Sequence, residues 1–362
     1  MGSPKEKVLV AMSGGVDSAV SALMLKEQGY DISAAYMKTW MNEEGIDVFG
    51  DCPWHEDIKY ATEVSKQLGI DFEVVDFIEE YKQQIVEYLV QGYKYGQTPN
   101  PDLMCNRKMK FGKFLDYAKK NGFTKVATGH YASITDLDDL SKDITMGADP
   151  SKDQSYFLAM MTQTQVQSAL MPIGKLLKNQ VRDIARINRL ANANKKDSQG
   201  ICFLGKIKIQ DFLKHYIEEK EGNIVNASGK ILGKHKGLFN YTLGQRKGIN
   251  IPSNCDNKFY VVVAKDFDSN TLLVDFNDNI NSQLFVNEIH VNNINWINKT
   301  ISSPTQLQAK VRYRDPLINI TFTPLENNSA KITFTSTQRG LASGQAIALY
   351  QNNTLLGGAF YI

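Results

Sequence analysis

The 362-residue chain lacks any run of about eighteen uninterrupted apolar residues, so nothing in it reads as a membrane-spanning helix. Its first residues, Met-Gly-Ser-Pro-Lys-Glu-Lys, have no apolar core of the kind a secretory signal requires. Both absences point to a cytoplasmic protein with no membrane partner. Cysteine is scarce: Cys52, Cys105, Cys202 and Cys255 stand far apart, and no Cys-x-x-Cys pair occurs. A secreted disulfide framework is excluded, leaving buried thiols or thiol chemistry. Cys52 and His55 have the spacing of half a zinc site with no second half nearby, so no metal is assigned. No Gly-Lys pair is followed by Ser or Thr, which excludes a Walker-type phosphate loop. Net charge is also small, at +2.

The distribution of charge says more than its sum. Residues 1–104 carry 8 basic against 18 acidic side chains, residues 105–250 carry 25 against 13, and the remainder 8 against 8. A basic middle behind an acidic first part is what a polyanion track over one region would produce, although solvated helix faces would produce it too. The length suits two or three domains.

The most informative stretch is Val-Leu-Val-Ala-Met-Ser-Gly-Gly-Val-Asp-Ser at 8–18, an apolar strand breaking into a glycine pair flanked by hydroxyls and a carboxylate. Val16, Ala19, Val20, Leu23 and Met24 then recur at helical spacing until Gly29. A loop at a helix N-terminus offers unsatisfied backbone N–H groups and the positive end of the helix dipole, and Gly14 and Gly15 allow an anion to approach. Strands over 31–37, 71–75 and 125–128 alternate with helices over 57–68, 81–95 and 108–121. That order predicts an α/β fold with a doubly wound parallel sheet, whose carboxyl ends bring Met37 and Gly129-His130 to the same crevice.

Between two of those helices lies Gly-Gln-Thr-Pro-Asn-Pro-Asp-Leu-Met-Cys-Asn at 96–106, where two prolines hold helix off until Asp102. A helix starting there puts Asp102 and Cys105 on one face, near an N-terminus that favours a thiolate; a buried structural thiol is the alternative. The polar stretch 149–158 should run into an apolar helix. Arg182, Arg186 and Arg189 form a basic stripe on a helix over 178–189, and Cys202 sits in a segment flanked by Gly200 and Gly205. Beyond it a helix over 210–219 leads into a glycine-punctuated, lysine-rich connector, and from about residue 281 short alternating strands indicate a small β-barrel. The expected domains are 1–205, catalytic; 206–280, a connector that binds RNA; and 281–362, the barrel.

Ser-Gly-Gly-Val-Asp-Ser at 13–18 resembles the pyrophosphate-binding loop of the ATP pyrophosphatase superfamily. With Asn100-Pro-Asp102 and Cys105, Ala127-Thr-Gly-His-Tyr131, Lys152-Asp-Gln-Ser-Tyr-Phe157, the segment 197–205 around Cys202, and Arg312-Tyr313, the chain resembles the tRNA-specific 2-thiouridylases nearly end to end. The resemblance implies ATP-dependent adenylation of the wobble uridine, position 34, of tRNAs for Lys, Glu and Gln, followed by sulfur transfer from a protein persulfide. It implies ATP with Mg²⁺ at Ala11, Met12, Ser13, Gly14, Gly15, Val16, Asp17, Ser18, Met37 and Gly129. Cys202 would carry the persulfide, Cys105 would free the sulfur and leave a Cys105–Cys202 disulfide, and Asp102 would move the proton. Contacts with tRNA are implied at Asn100, Pro101, Asp102, His130, Lys152, Asp153, Gln154, Arg312, Tyr313 and Gln345. A cysteine desulfurase or sulfur-relay protein would deliver the sulfur.

Gln97, Met146 and Ser343 depart from the family's usual residues and put particular phosphate contacts in question. Two other readings remain open on sequence: a superfamily ligase that adenylates a small carbonyl substrate and needs no cysteine, and a non-catalytic RNA-binding protein regulated by nucleotide.

Overall fold

A computed structural model describes residues 6–39, 54–197, 208–253, 258–279 and 284–362. Its first part contains β1 (Lys7–Ala11), β2 (Asp31–Lys38), β3 (Phe72–Asp76), β4 (Lys125–Ala127), β5 (Ala132–Asp136), β6 (Lys142–Met146) and β7 (Ala169–Leu170). Five of these form a parallel sheet in the order β3-β2-β1-β4-β7. Val8, Leu9 and Val10 of β1 are fully buried, as a central strand covered on both faces must be. Alternation sends Val8 and Val10 into a cluster with α1 (Val16–Glu27) and α2 (Trp54–Leu68), while Leu9 joins Tyr81, Ile85, Leu89, Cys105 and Met109 on the opposite face. The chain runs outward from β1 to β3 and returns on the other side at β4. Strand order therefore reverses between β1 and β4, where ligands bind in open α/β sheets.

Several sequence expectations shift. The one-faced reading of α1 gives way to burial nearly all round, because the helix Lys178–Ile187 covers its outer side with Val181 and Ala185. The helix after the two prolines begins at Pro101, one residue early, because proline at N1 lacks only an N–H that has no helical partner. It passes through a π-helical stretch, Cys105–Lys113, before Phe114–Lys120. The apolar helix expected after the 149–154 loop is a single 3₁₀ turn, Ser155–Leu158. The helix expected over 210–219 is only Ile209–Leu213.

In the middle of the chain β8 (Gly222–Val225), β9 (Ile231–His235), β10 (Tyr260–Asp266) and β11 (Thr271–Phe276) form a sheet in the order β10-β11-β8-β9 around Ile224, Val262, Leu272 and Val274. Then β12 (Phe285–Trp296), β13 (Thr305–Lys310), β14 (Ile318–Leu325), β15 (Ser329–Arg339), β16 (Ala346–Gln351) and β17 (Thr354–Tyr361) follow the order β12-β15-β14-β13-β16-β17, and β12–β17 pairing closes six strands into a barrel. The β5–β6 hairpin extends this sheet, with Leu355 of β17 opposite Ile144 of β6. The barrel is thereby stitched to the segment just before the 149–154 loop.

Candidate active site

The loop at 13–18 folds on its own hydroxyls. Ser13 N donates to Ser18 Oγ at 3.2 Å, and Ser18 Oγ donates to Gly15 O at 3.1 Å. Gly14 has φ of +73°, and a Cβ there would lie 2.3 Å from the carbonyl oxygen of Asp57, so both conformation and space demand glycine. The Asn192 amide, almost wholly buried, donates to Gly14 O at 3.0 Å while its own Oδ1 has no hydrogen-bond partner. Ala11, Met12 and Val16 lie under this turn; Met12 and Val16 are buried and shape it from below. Burial raises the Asp57 carboxyl against the opposing hydrogen bond and charge of Lys195.

Across the switch point, Gly129 presses on the start of α1: a Cβ there would stand 2.7 Å from Ser18 N. The next residue, His130, is buried, accepts from or donates to Thr128 Oγ1 through Nδ1 at 2.7 Å, and lies 6.0 Å, ring to ring, from Phe111 in the Cys105–Lys113 stretch. Burial, helped by the charge of Lys110, holds His130 well below the usual histidine value and therefore neutral. The Gly129-His130 corner thus touches the end of the 13–18 loop on one side and the Cys105 helix on the other.

That helix is capped by Asn100, whose Oδ1 accepts from Asp102 N at 3.1 Å and Leu103 N at 3.2 Å. Pro101 is buried beneath it. Asp102 is raised above the ordinary carboxylate range by burial, and the Lys110 charge only partly offsets this. Cys105, 5% exposed, shares one apolar cluster with Leu9 and Met109, against which Ala11 and Met37 pack. Cys105 and Met37 are therefore tied to one core. Next to the thiol, Asn106 donates to Phe157 O at 3.1 Å and keeps a buried Oδ1 without a partner. Cys202, Cys52 and Cys255 lie outside the described residues, and with them the expected approach of two thiols.

Sequence reasoning missed a charge network beside the loop. Asp17 Oδ1 accepts from Lys178 Nζ at 2.7 Å and from Tyr131 OH at 2.8 Å, and Asp17 Oδ2 from Lys178 Nζ at 2.9 Å. Lys178 also reaches Asp197 Oδ1 at 2.8 Å, where Arg182 joins at 2.5 Å, while Lys152 holds Asp197 Oδ2 at 3.0 Å. Burial alone would raise the Asp197 carboxyl, but hydrogen bonds and charge from Lys178 and Lys152 overcome it and hold the group at about 2. No spacing rule links positions 17, 178 and 197; only the strand order brings them together.

The expected basic stripe is corrected here. Arg182 is turned inward onto Ala193 O, Lys195 O and Asp197, and Arg186 pairs with Asp183 at 3.3 Å. Arg189 falls beyond the helix at φ of +53°, so the three guanidiniums do not form one track.

The residues expected to meet RNA divide by exposure. Lys152 reaches the surface from its Asp197 contact. Asp153 is buried: Oδ1 accepts from Gly147 N at 2.9 Å and Ser155 N at 3.2 Å, and Oδ2 from Ser155 Oγ at 3.0 Å and Lys310 Nζ at 2.5 Å. From that position it anchors the loop to the barrel rather than presenting a group to solvent. Gln154 clamps Tyr131 through N–H to Tyr131 O at 2.9 Å and Oε1 from Tyr131 N at 3.0 Å. Arg312 donates to Arg339 O at 2.6 Å and also to Gly340 O. Tyr313 packs on Phe157 with ring centroids 4.3 Å apart, and Gln345 Oε1 accepts from Ala342 N at 3.2 Å. Phe157 and Tyr313 make an aromatic wall between the barrel and the Asn106 side of the crevice.

A family model described as tRNA methyl transferase HUP domain matches residues 6–206, tRNA methyl transferase PRC-barrel domain matches 210–275, and Aminomethyltransferase beta-barrel domain matches 286–360. The chain is 46% identical over 355 residues to the tRNA-specific 2-thiouridylase MnmA of Akkermansia muciniphila, covering 98% of each. The chain belongs to the tRNA-specific 2-thiouridylase family. Other 2-thiouridylases are similar at the same full-length scale: 42% identity over 362 residues with that of Streptococcus agalactiae, covering 97% of this chain and 94% of the relative, and 40% over 359 with that of Alkaliphilus oremlandii, covering 99% and 97%. Among the described residues no helix is long and apolar enough to cross a membrane, and no three His, Cys, Asp or Glu side chains gather as a metal-ligating group.

Proposed function

We propose that this protein is an ATP-dependent tRNA 2-thiouridylase acting on the wobble uridine of tRNAs for Lys, Glu and Gln. Full-length similarity to 2-thiouridylases carries the reading. The geometry that supports it is the Gly129-His130 corner, which seats the phosphate loop and the Asp102–Cys105 helix against opposite sides of one residue pair. ATP, accompanied by Mg²⁺, binds with its phosphates at residues 13–18 and its nucleoside toward Met37. Asp17 is the carboxylate best placed to face the metal that accompanies ATP.

The uracil O2 attacks the α-phosphorus, pyrophosphate leaves, and C2 becomes electrophilic because AMP departs far more readily than oxide. The terminal sulfur of a Cys202 persulfide, loaded by a sulfur-donor protein, adds to C2 and expels AMP. The Cys105 thiolate then attacks the inner sulfur, breaks the sulfur–sulfur bond and leaves 2-thiouridine with a Cys105–Cys202 disulfide, which a thiol reductant reopens. Asp102, held toward its neutral form by burial, exchanges the proton with the base. A wobble base must leave its stack to reach this crevice, and Phe157 with Tyr313 offers an aromatic surface to receive it.

The test is mass spectrometry of unmodified tRNA incubated with the protein, ATP, Mg²⁺ and a persulfide source. Exchange of oxygen for sulfur at the wobble uridine is expected, with its loss in Cys105→Ser and Cys202→Ser. Full thiolation by both variants would refute the roles given to the thiols, pyrophosphate release with no sulfur gain in the tRNA would favour a ligase that needs no thiol, and tRNA binding without pyrophosphate release would favour a non-catalytic RNA binder.

A further inference from the structure

We propose that Lys310 is a positioning residue for ATP cleavage: from the barrel it fixes, through Asp153 and Gln154, the Tyr131 hydroxyl that holds Asp17 in the nucleotide loop. This rests on the proposed use of ATP and tRNA. Lys310 ends strand β13 and is 6% exposed, and its Nζ donates to Asp153 Oδ2 at 2.5 Å. Two further barrel groups hold the same stretch: Tyr350 OH lies 3.0 Å from Ser155 Oγ, and Ala346 O accepts from Tyr156 OH at 2.9 Å. On the other side Gln154 meets Tyr131 through paired hydrogen bonds, N–H to Tyr131 O at 2.9 Å and Oε1 from Tyr131 N at 3.0 Å. Tyr131 OH then donates to Asp17 Oδ1 at 2.8 Å. Hydrogen bonds and short backbone steps thus run unbroken from the barrel to the loop.

Little in this series can slip. Asp153 uses both oxygens: Oδ1 accepts from Gly147 N at 2.9 Å and Ser155 N at 3.2 Å, which shapes the turn, while Oδ2 serves Ser155 Oγ and Lys310, which sets the turn against the barrel. A Cβ on Gly147 would stand 2.5 Å from Tyr131 O, so the turn meets the Tyr131 backbone at a second point. Ala132, Tyr156, Leu158, Ala346, Ala348 and Tyr350 share one buried cluster, and a close-packed interior shifts between arrangements rather than yielding gradually. The barrel end of the series also lies beside residues expected to meet RNA: Arg312 and Tyr313 follow Lys310 by two and three positions, and Gln345 precedes Ala346. A tRNA that loads those residues therefore acts on both barrel attachments and reaches Asp17 without touching it. By linkage the effect is reciprocal: whatever factor tRNA adds to nucleotide affinity, nucleotide adds to tRNA affinity.

The experiment measures the affinity of an α,β-methylene analogue of ATP, which cannot release pyrophosphate, for the full chain with and without saturating unmodified tRNA. The tRNA should tighten the analogue by at least about fivefold, and the analogue should tighten tRNA by the same factor. In Lys310→Met that factor should fall to within about twofold of unity, while analogue affinity without tRNA changes by less than about threefold. Tyr350→Phe, which deletes one hydroxyl from the series and keeps the ring, should fall between the two and carries the comparison if Lys310→Met does not fold. Three results overturn the assignment: no coupling in the wild type, coupling unchanged in the variants, or analogue affinity lost equally with and without tRNA, since a residue that only braces the loop weakens both states alike. Wild-type thiolation of tRNA is measured alongside. If thiolation occurs while the variants leave coupling unchanged, Lys310 has been misassigned and the function stands. If the wild type binds neither nucleotide nor tRNA, the function itself fails.

Discussion

The strongest stability prediction concerns Lys310. Its ammonium meets Asp153 at 2.5 Å with side-chain exposures of 8% and 1%, one partner on barrel strand β13 and the other in the 149–154 loop. Lys310→Met removes the cation and leaves the carboxylate dry. Stripping one member of a buried pair costs about 3–5 kcal/mol, and the three hydrogen bonds that Asp153 keeps from Gly147 N, Ser155 N and Ser155 Oγ place the expected loss at the lower end, about 3 kcal/mol. Asp153→Asn with Lys310→Met removes both charges and should cost clearly less than Lys310→Met alone. Equilibrium urea denaturation of the full chain reads both. A loss below about 1 kcal/mol in Lys310→Met, or a double variant at least as unstable as the single one, would refute the claim that an ion pair in a dry environment fastens the loop to the barrel.

Other consequences can be measured directly. Asp102 has its carboxyl raised by burial, so its favourable contribution is complete below the ordinary carboxylate value and is lost as pH rises through the raised one. Asp102→Asn should therefore be at least as stable as the parent at pH 7, with the difference shrinking on acidification, while thiolation falls by about a hundredfold or more; a destabilised or active variant contradicts this. Gly129→Ala would drive a methyl to 2.7 Å from Ser18 N and should weaken ATP binding by at least about tenfold, read by calorimetry, while urea stability falls by only about 1–3 kcal/mol; unchanged affinity would show that the corner does not touch the site. Affinity for tRNA should drop by at least about tenfold between 50 and 200 mM salt in a filter-binding assay, and a flat response would count against the basic middle of the chain as an RNA track.

The glycine-hydroxyl turn was legible because its chemistry is local: Gly14 needs a left-handed φ and Ser18 bonds back to Gly15 within the same six residues. The parallel sheet was legible because strand and helix alternate at regular length. What escaped was set by tertiary structure. Lys178 looked like any residue at the start of a helix, yet strand order carries it to Asp17. Arg182 looked like part of a solvated stripe, yet the turn at 193–197 claims its guanidinium. Asp153 stood in a polar string, and polarity in sequence says nothing about which way a side chain faces once a barrel strand brings up Lys310. The β5–β6 hairpin was invisible as a barrel extension, since its partner β17 lies more than 200 residues later.

The segment before the Asp102–Cys105 helix explains why three structural units are needed around one crevice. A Cβ on Gly96 would collide with the Phe267 ring at 2.3 Å, and Thr98 Oγ1 meets Thr242 Oγ1 at 3.2 Å, so the middle unit presses on this segment from one side. Thr98 N donates to Ser343 O at 2.7 Å, and a Cβ on Gly344 would lie 2.8 Å from that of Gln97, so the barrel presses from the other. Gln97 and Ser343, two of the departures from the family's usual residues, therefore lie along one seam, Gln97 against Gly344 and Ser343 against Thr98. Two residues further on, Asn100 caps the helix that carries Asp102 and Cys105. A displacement of the middle unit or the barrel would reach that helix through only a few backbone bonds, one of them Asn100-Pro101, which proline holds stiff. The proposed catalytic pair is thus oriented by surfaces that do not themselves contain it, and Thr98→Val, which deletes the hydroxyl facing Thr242 and keeps the shape, isolates that link: it should slow sulfur transfer at saturating ATP while leaving ATP affinity unchanged.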